Sequence, residues 1–172
     1  MTSQPWSSRN GHMLRILLLE DDEGLSATLK AFLESCSCKV TRFESGADGL
    51  RRIMVEDFDL VLCDMVMPTF PGDKFYLAVQ RVKPALCHRF LFMTGYRADR
   101  RYETFIRKIG GLMLWKPFEP HELSAAIQLV LKKADELDVA DWSKAISSSR
   151  GPRPFPPQNI VPESPRHPPQ QP

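Results

Sequence analysis

Polar side chains that suit phosphate or metal chemistry follow four short apolar runs of this sequence. In chain order they are Glu20 with Asp21, then Asp64, then Thr94, and then Lys116. Clustered carboxylates repel one another, and a divalent cation is their natural counter-charge. Mg2+ prefers oxygen ligands and accepts a phosphate partner, and a carboxylate beside such a cation and a lysine can act as a nucleophile. We therefore predict that Asp64 accepts a phosphoryl group, provided that these side chains meet.

The side chains can meet if the runs that precede them are parallel strands of one sheet. Residues 60–63 are apolar without a polar break, which is typical of a strand buried on both faces. Strand-like runs alternate with helical periodicity five times, a pattern that predicts βαβ units and a doubly wound, parallel α/β sheet. The carboxyl ends of such strands lie at one edge, where open α/β sheets bind their ligands. The predicted strands are 14–19, 38–43, 60–63, 89–93 and 112–115.

The composition indicates an ordinary soluble protein of one domain with extensions. The chain has 172 residues and a net charge of +2, a balance that favours neither a nucleic-acid nor a membrane partner. No apolar run approaches the roughly 18 residues of a membrane span. The basic residues between 97 and 108 are interpreted as a solvated helix face, not as a nucleic-acid site. The four cysteines form no zinc pattern, and reduced thiols are expected, which predicts a cytoplasmic protein.

The chain divides into three parts by composition. Residues 1–12 are rich in Ser, Gln, Asn and Gly, and we expect them to form a disordered leader. Residues 13–137 hold the predicted strands and helices, and the last helix is expected to end with this part. Residues 138–172 are expected to form a tail, with a possible short helix over 139–146. Nine of the fifteen prolines lie after Arg150, which predicts a disordered Pro-rich end.

Four motifs stand at the ends of the predicted strands. They are Ile-Leu-Leu-Leu-Glu-Asp-Asp, the segment from Asp64 to Pro68 with Gly72, Phe-Leu-Phe-Met-Thr-Gly, and Trp-Lys-Pro-Phe. The set resembles the receiver domain of response regulators in two-component signalling, especially single-domain receivers similar to the chemotaxis regulator. The separations resemble those of the family as well: 30 residues from Asp64 to Thr94, and 22 from there to Lys116. The resemblance covers about residues 14–133 and implies a flavodoxin-like five-stranded sheet of order 2-1-3-4-5.

The same resemblance implies a role for each side chain. Asp64 would be the phosphorylated acid, and Thr94 and Lys116 would bind the phosphoryl oxygens. Mg2+ would be the cofactor. Its implied ligands are Asp21, Asp64 and the main-chain carbonyl of Val66, with Glu20 acting through water.

Two further expectations concern the neighbourhood of Lys116. The peptide bond to Pro117 is expected in the cis form, as the family usually has it. The family's switch aromatic lies three residues before the lysine, where this chain has Met113. Methionine is flexible and can repack, but it has no hydroxyl group to expose. The usual coupling of the threonine, here Thr94, to a rotating ring is therefore not expected to carry over unchanged.

The expected function is that of a stand-alone response regulator. A histidine kinase or a histidine phosphotransfer protein would phosphorylate it, and an unidentified downstream protein would receive the signal. We expect a monomer or a phosphorylation-dependent dimer, and not an enzyme that turns over a separate substrate. A phosphate sink, a relay intermediate and a phosphorylation-independent binding module stay open as alternatives.

The acids of this sequence have two other interpretations. A haloacid-dehalogenase-like phosphatase also uses an aspartate nucleophile, but it needs a second acid two residues later, where this chain has Val66. The four acids at 20–23 could instead be a solvated helix start, which the helix dipole favours. The joint occurrence of functional groups at four strand ends favours a site.

Overall fold

The computed structural model describes residues 12–95 and 100–147, which form a five-stranded sheet between two layers of helices. The strands are β1 (Leu14–Leu19), β2 (Cys38–Phe43), β3 (Leu60–Asp64), β4 (Phe90–Thr94) and β5 (Leu112–Trp115). They lie in the order β2-β1-β3-β4-β5, and each neighbouring pair is parallel. The predicted doubly wound, flavodoxin-like sheet is confirmed.

Helices cover both faces of the sheet. They are α1 (Glu23–Ser35), α2 (Gly46–Ile53), α3 (Gly72–Val82), α4 (Arg100–Ile109) and α5 (Pro120–Ser147), with a 3-10 helix over Pro84–Arg89. Neighbouring side chains of a strand point to opposite faces, so the core divides into two clusters. Leu17 and Leu19 of β1 belong to the cluster with α2, α3 and α4, whereas Ile16 and Leu18 belong to the one with α1 and α5.

The strands β3 and β4 are buried along their length, and the strands of the sheet end at a common edge. Every residue of β3 and β4 is buried, whereas β5 is an edge strand whose residues are half-buried. The registers at the strand ends are Leu19 with Cys63, Asp64 with Met93, and Thr94 with Trp115. The strands therefore end nearly level with one another, at what we call the carboxyl edge. The side chains that the sequence singled out follow or end these strands.

Helix α5 differs from its prediction. The expected end at residue 137 is wrong, because the helix continues to Ser147. The stretch 139–146 is helical, but it is part of α5 and not a separate short helix. No glycine or proline interrupts this segment, and extending an existing helix avoids the cost of nucleating a new one. The domain limits themselves stay predictions.

The connection into β4 also differs from its prediction. Arg89 was expected to begin this strand, but it ends the 3-10 helix, and β4 begins at Phe90. Pro84 lies at the start of the 3-10 helix, a position where its missing N–H group costs little.

Several predictions fall outside the described residues. They concern the leader up to residue 11, the Pro-rich end from residue 148, and the start of the basic run at Arg97. Within the described ranges, no helix combines the length and the apolar character needed to cross a membrane.

Candidate functional site

The centre of the carboxyl edge is an ammonium group held between two carboxylates. Lys116 Nζ donates hydrogen bonds to Glu20 Oε2 at 2.7 Å and to Asp64 Oδ2 at 2.6 Å. Glu20 directly follows β1, Asp64 ends β3, and Lys116 directly follows β5. Both carboxylate residues are buried, with 1% of Glu20 and 5% of Asp64 exposed. The parallel sheet thus brings together three groups that are remote in sequence.

Burial and shared charge control the ionisation of this group. Burial raises the pKa of Glu20, and the Asp64 carboxylate acts in the same direction, while the hydrogen bond from Lys116 offsets only part of the effect. Burial is the largest single influence on Lys116 and works to lower its pKa, but the hydrogen bonds and the negative charges of the two carboxylates together outweigh burial and leave that pKa above its ordinary value. The single ammonium group of Lys116 is therefore the hydrogen-bond donor and counter-charge for two buried carboxylates.

Asp21 adds a third carboxylate to the carboxyl edge. Carboxylate oxygens of Glu20, Asp21 and Asp64 lie within 4.8 Å of one another. Asp21 is exposed whereas the other two are buried, so solvent reaches the cluster from the side of Asp21. Hard oxygen ligands with an excess of negative charge over Lys116 fit a divalent cation such as Mg2+. The acidic cluster can therefore hold a metal ion.

The four consecutive acids after β1 have two different structural roles. Asp22 is the N-cap of α1, where its Oδ1 accepts a hydrogen bond from the Leu25 amide at 2.8 Å. Glu23 lies in the first turn of that helix, where the dipole favours negative charge. The alternative interpretation as a helix start is thus right for these two acids. Glu20 and Asp21 belong, with Asp64, to the acidic cluster that can hold a metal ion.

The main chain after Asp64 turns back towards its own carboxylate. The Val66 amide donates a hydrogen bond to Asp64 Oδ1 at 2.9 Å, so the two carboxylate oxygens have different partners. Further along, the Gly72 amide donates to the Met65 carbonyl at 3.2 Å. A Cβ atom on Gly72 would lie 2.6 Å from the Asp64 carbonyl oxygen. Only glycine therefore lets α3 begin this close to the acid.

Thr94 ends the strand beside this group. It is fully buried, and its carbonyl accepts a hydrogen bond from the Lys116 amide at 2.8 Å. A Cβ atom built on Gly95 would meet no heavy atom of the described residues within 4 Å. The Lys116–Pro117 peptide bond is cis, as predicted.

Met113 does not lie at the carboxyl edge. It pairs with Phe92 in the middle of β4 and is half-buried against the core cluster on the side of α2, α3 and α4. Its part in a switch stays a prediction.

Two features of the site were missed by the sequence analysis. The first is a contact between the loop after Asp64 and the start of α2, where the ring of Phe70 lies over Gly46. A glycine directly after the capping residue of a helix was the available signal. The second is Cys63, whose Sγ donates to the Asp64 carbonyl at 3.4 Å. Burial raises the pKa of this thiol well above its ordinary value, so Cys63 stays protonated beside the acids.

The parallel α/β fold, with its acidic cluster and lysine at one edge, defines the protein as a receiver domain. The family model of the response regulator receiver domain matches residues 16–128, and the chain belongs to this family. The response regulator receiver protein CpdR of Brucella abortus (strain 2308) is 33% identical over 119 residues, which cover 69% of this chain and 98% of CpdR. The resemblance inferred from the motifs is confirmed.

Two further relatives show how such domains are used. The transcriptional regulatory protein GlrR of Escherichia coli K12 is 31% identical over 131 residues, which cover 76% of this chain but 29% of GlrR. A CheY-like receiver domain protein from Methanospirillum hungatei JF-1 superimposes with a TM-score of 0.67 at 25% identity, covering 73% of this chain and 99% of that one. The chain therefore matches whole receiver proteins and also one part of a larger regulator.

Proposed function

We propose that this protein is a response regulator that accepts a phosphoryl group on Asp64 in a Mg2+-dependent reaction and signals through another protein. Receiver domains of two-component systems are phosphoryl acceptors. For this chain, one observation carries the proposal: Lys116 bridges Asp64 and Glu20 at 2.6 and 2.7 Å, within a cluster that can hold a cation. Nucleophile, counter-charge and metal ligands thus share one site.

Asp64 is the nucleophile in this proposal. Its carboxylate is oriented by the Val66 amide on one oxygen and by Lys116 on the other, so its direction is set before the donor arrives. The donor is the phosphohistidine of a histidine kinase or of a histidine phosphotransfer protein. A carboxylate oxygen forms a bond to phosphorus while the bond from phosphorus to the donor nitrogen breaks.

The remaining groups bind charge that develops on the transferred group. The proposed Mg2+ ligands are Asp21, Asp64 and the Val66 carbonyl, with Glu20 acting through water. When bound, Mg2+ neutralises charge on the phosphoryl oxygens. Lys116 moves its ammonium onto one phosphoryl oxygen, and the Thr94 hydroxyl donates to another. The buried position of Thr94 at the end of β4, beside Asp64 at the end of β3, supports this arrangement.

Phosphorylation adds roughly one and a half to two negative charges, which shift a surface equilibrium. Our candidate output surface is formed by α4, β5 and α5, and the partner is a protein and not a nucleic acid. We further propose a cytoplasmic monomer, or a phosphorylation-dependent dimer, that turns over no separate substrate. Val66 is 37% exposed beside the acid and can screen attacking water, so we expect slow loss of the phosphoryl group.

The test is phosphorylation by acetyl phosphate in Mg2+, followed by intact mass. Wild-type protein and the control variant Asp59→Asn should gain one phosphoryl group, because Asp59 lies at the opposite edge and binds the Arg15 amide. The variant Asp64→Asn should gain none. Labelling of Asp64→Asn to the wild-type level would rule out the proposal. Decay within seconds after removal of the donor would instead favour a phosphate sink.

A further inference from the structure

The loop that joins β3 to α3, residues 65–71, carries the Val66 main chain that completes the proposed metal site. Its start is tied to the sheet by the Met65 amide, which donates to the Met93 carbonyl at 2.9 Å. Its end returns to that start, because the Gly72 amide bonds the Met65 carbonyl. Both ends of the loop are therefore fastened at Met65, and Val66 directly follows this anchor.

The tip of this loop has an unfavourable backbone conformation. Thr69 has a φ of 46°, in the left-handed region that β-branched residues rarely adopt. Such a conformation persists only where the surrounding structure holds it. The Thr69 side chain is exposed, so the restraint comes from its neighbours.

Phe70 ties the loop tip to two helices. A Cβ atom built on Gly46, the first residue of α2, would lie 2.5 Å from Cδ1 and 3.2 Å from Cγ of the Phe70 ring. The ring also meets Phe75 of α3 edge to face, with centroids 6.2 Å apart and an interplanar angle of 83°. Any side chain at position 46 would displace the ring. The glycine and the ring therefore form one matched contact.

We propose that Phe70 is a positioning residue, which by its contact with Gly46 holds the loop 65–71 closed and keeps Val66 and Asp64 in place to bind Mg2+. The inference rests on the proposed function and deepens it. Phe70 acts only through the loop and takes no part in the chemistry. The contact also makes metal affinity depend on the start of α2.

The variant Phe70→Ala tests this role against a matched control, Phe105→Ala. Phe105 is another half-buried ring of the same aromatic group, but it lies on α4 and contacts Tyr76 and Phe92, at centroid distances of 5.6 and 6.0 Å. We expect Phe70→Ala to raise the Mg2+ dissociation constant of the full chain about tenfold in a calorimetric titration, as loss of supporting groups does at other metal sites. Phe105→Ala should leave it unchanged.

Two additional variants separate positioning from loss of packing. Phe70→Met can refill the space with a flexible apolar side chain and should recover most of the Mg2+ affinity. Gly46→Ala keeps the ring but places a methyl group where it lies, and it should weaken Mg2+ binding in the same direction. Urea denaturation establishes that each variant is folded under the conditions of the titration.

Hydrogen exchange supplies a readout that needs no metal. In Mg2+-free protein the Gly72 amide should exchange faster in Phe70→Ala than in Phe105→Ala, because the loop closure that protects it is loosened. Equal Mg2+ dissociation constants for these two variants, with wild-type protein binding normally, would overturn the positioning role alone. Wild-type protein that binds no Mg2+ would overturn the proposed function together with it.

Discussion

The two edges of the sheet hold glutamates in opposite charge surroundings. At the carboxyl edge, Glu20 shares one ammonium with Asp64. At the amino edge, where the strands begin, the Glu56 carboxylate forms ion pairs with three cations: Arg15, Lys39 and Arg52. The pKa of Glu20 is raised, chiefly by burial, whereas the hydrogen bond from Arg15 is the main cause that lowers the pKa of Glu56.

This difference distinguishes an edge that can bind a cation from an edge whose ion pairs are complete within the protein. The protein itself neutralises the carboxylate of Glu56, so the amino edge requires no external cation. The carboxyl edge brings three carboxylates within reach of one another around Lys116, and their repulsion is relieved when a cation binds. The sign of the local charge imbalance, and not the number of acids, therefore distinguishes the edge that can hold a cation from the edge that needs none.

The largest expected effect comes from Lys116→Met, which leaves two buried carboxylates without their ammonium. We expect a loss of about 3 kcal/mol in the free energy of unfolding in Mg2+-free buffer, measured by urea denaturation. Added Mg2+ should restore much of it, because the ion supplies the missing positive charge.

The matched control for this change is Lys83→Met at the amino edge. Lys83 donates to the exposed Asp57 and to the carbonyls of Ile53 and Glu56. Its loss should cost about 1 kcal/mol, with no recovery by Mg2+. Equal responses of the two variants to Mg2+ would contradict the distinction between the edges.

The affinity for Mg2+ should fall when an acid of the cluster at the carboxyl edge is replaced. Asp21→Asn removes an exposed ligand from the cluster, and we expect its Mg2+ dissociation constant to rise at least about tenfold. Asp22→Asn is the control, because asparagine also caps helices and Asp22 caps α1. Calorimetry on both variants measures the difference. A similar loss of affinity in Asp22→Asn would show that the assignment of Asp21, and not Asp22, as a metal ligand is wrong.

A smaller effect is expected for Glu56→Gln. The variant weakens an ion-pair group whose partners are partly exposed, with 28%, 58% and 45% of the side chains of Arg15, Lys39 and Arg52 accessible. We therefore expect a loss of about 1 kcal/mol in the free energy of unfolding. Phosphorylation by acetyl phosphate should stay at the wild-type level. Loss of labelling in this variant would show that the two edges are coupled.

The smallest effects, in pH dependence, should have opposite signs at the two edges. Folded Glu20 holds its proton to higher pH than the unfolded chain, so this residue lowers stability as pH rises from its ordinary pKa of 4.5 to the raised folded value. Folded Glu56 releases its proton earlier, so its contribution is present above 4.5 and is lost as pH falls through the lowered folded value.

Mg2+-free denaturation of Glu20→Gln and Glu56→Gln across this pH range checks the signs. Relative to wild-type protein, Glu20→Gln should gain stability as pH rises, and Glu56→Gln should lose it. Parallel curves for the two variants would show that the carboxylates have similar surroundings.

The sequence was sufficient for the sheet and for the convergence of the acids with Lys116. Apolar runs identify buried parallel strands, and parallel strands bring residues that are remote in sequence to one edge. It was insufficient where packing between separate elements decides the outcome. The contact of Phe70 with Gly46 depends on how α2 lies beside the loop. The continuation of α5 to Ser147 is a different case, because the sequence already carries its signal: neither glycine nor proline interrupts the helix after Pro120.

The most direct test of the account is a calorimetric Mg2+ titration of the wild-type protein beside Asp64→Asn and Glu56→Gln. We predict a single bound Mg2+ ion per chain for the wild type and for Glu56→Gln, with equal affinities, and much weaker binding for Asp64→Asn. Binding that survives in Asp64→Asn, or that is lost in Glu56→Gln, would contradict the claim that the carboxyl edge is the metal site.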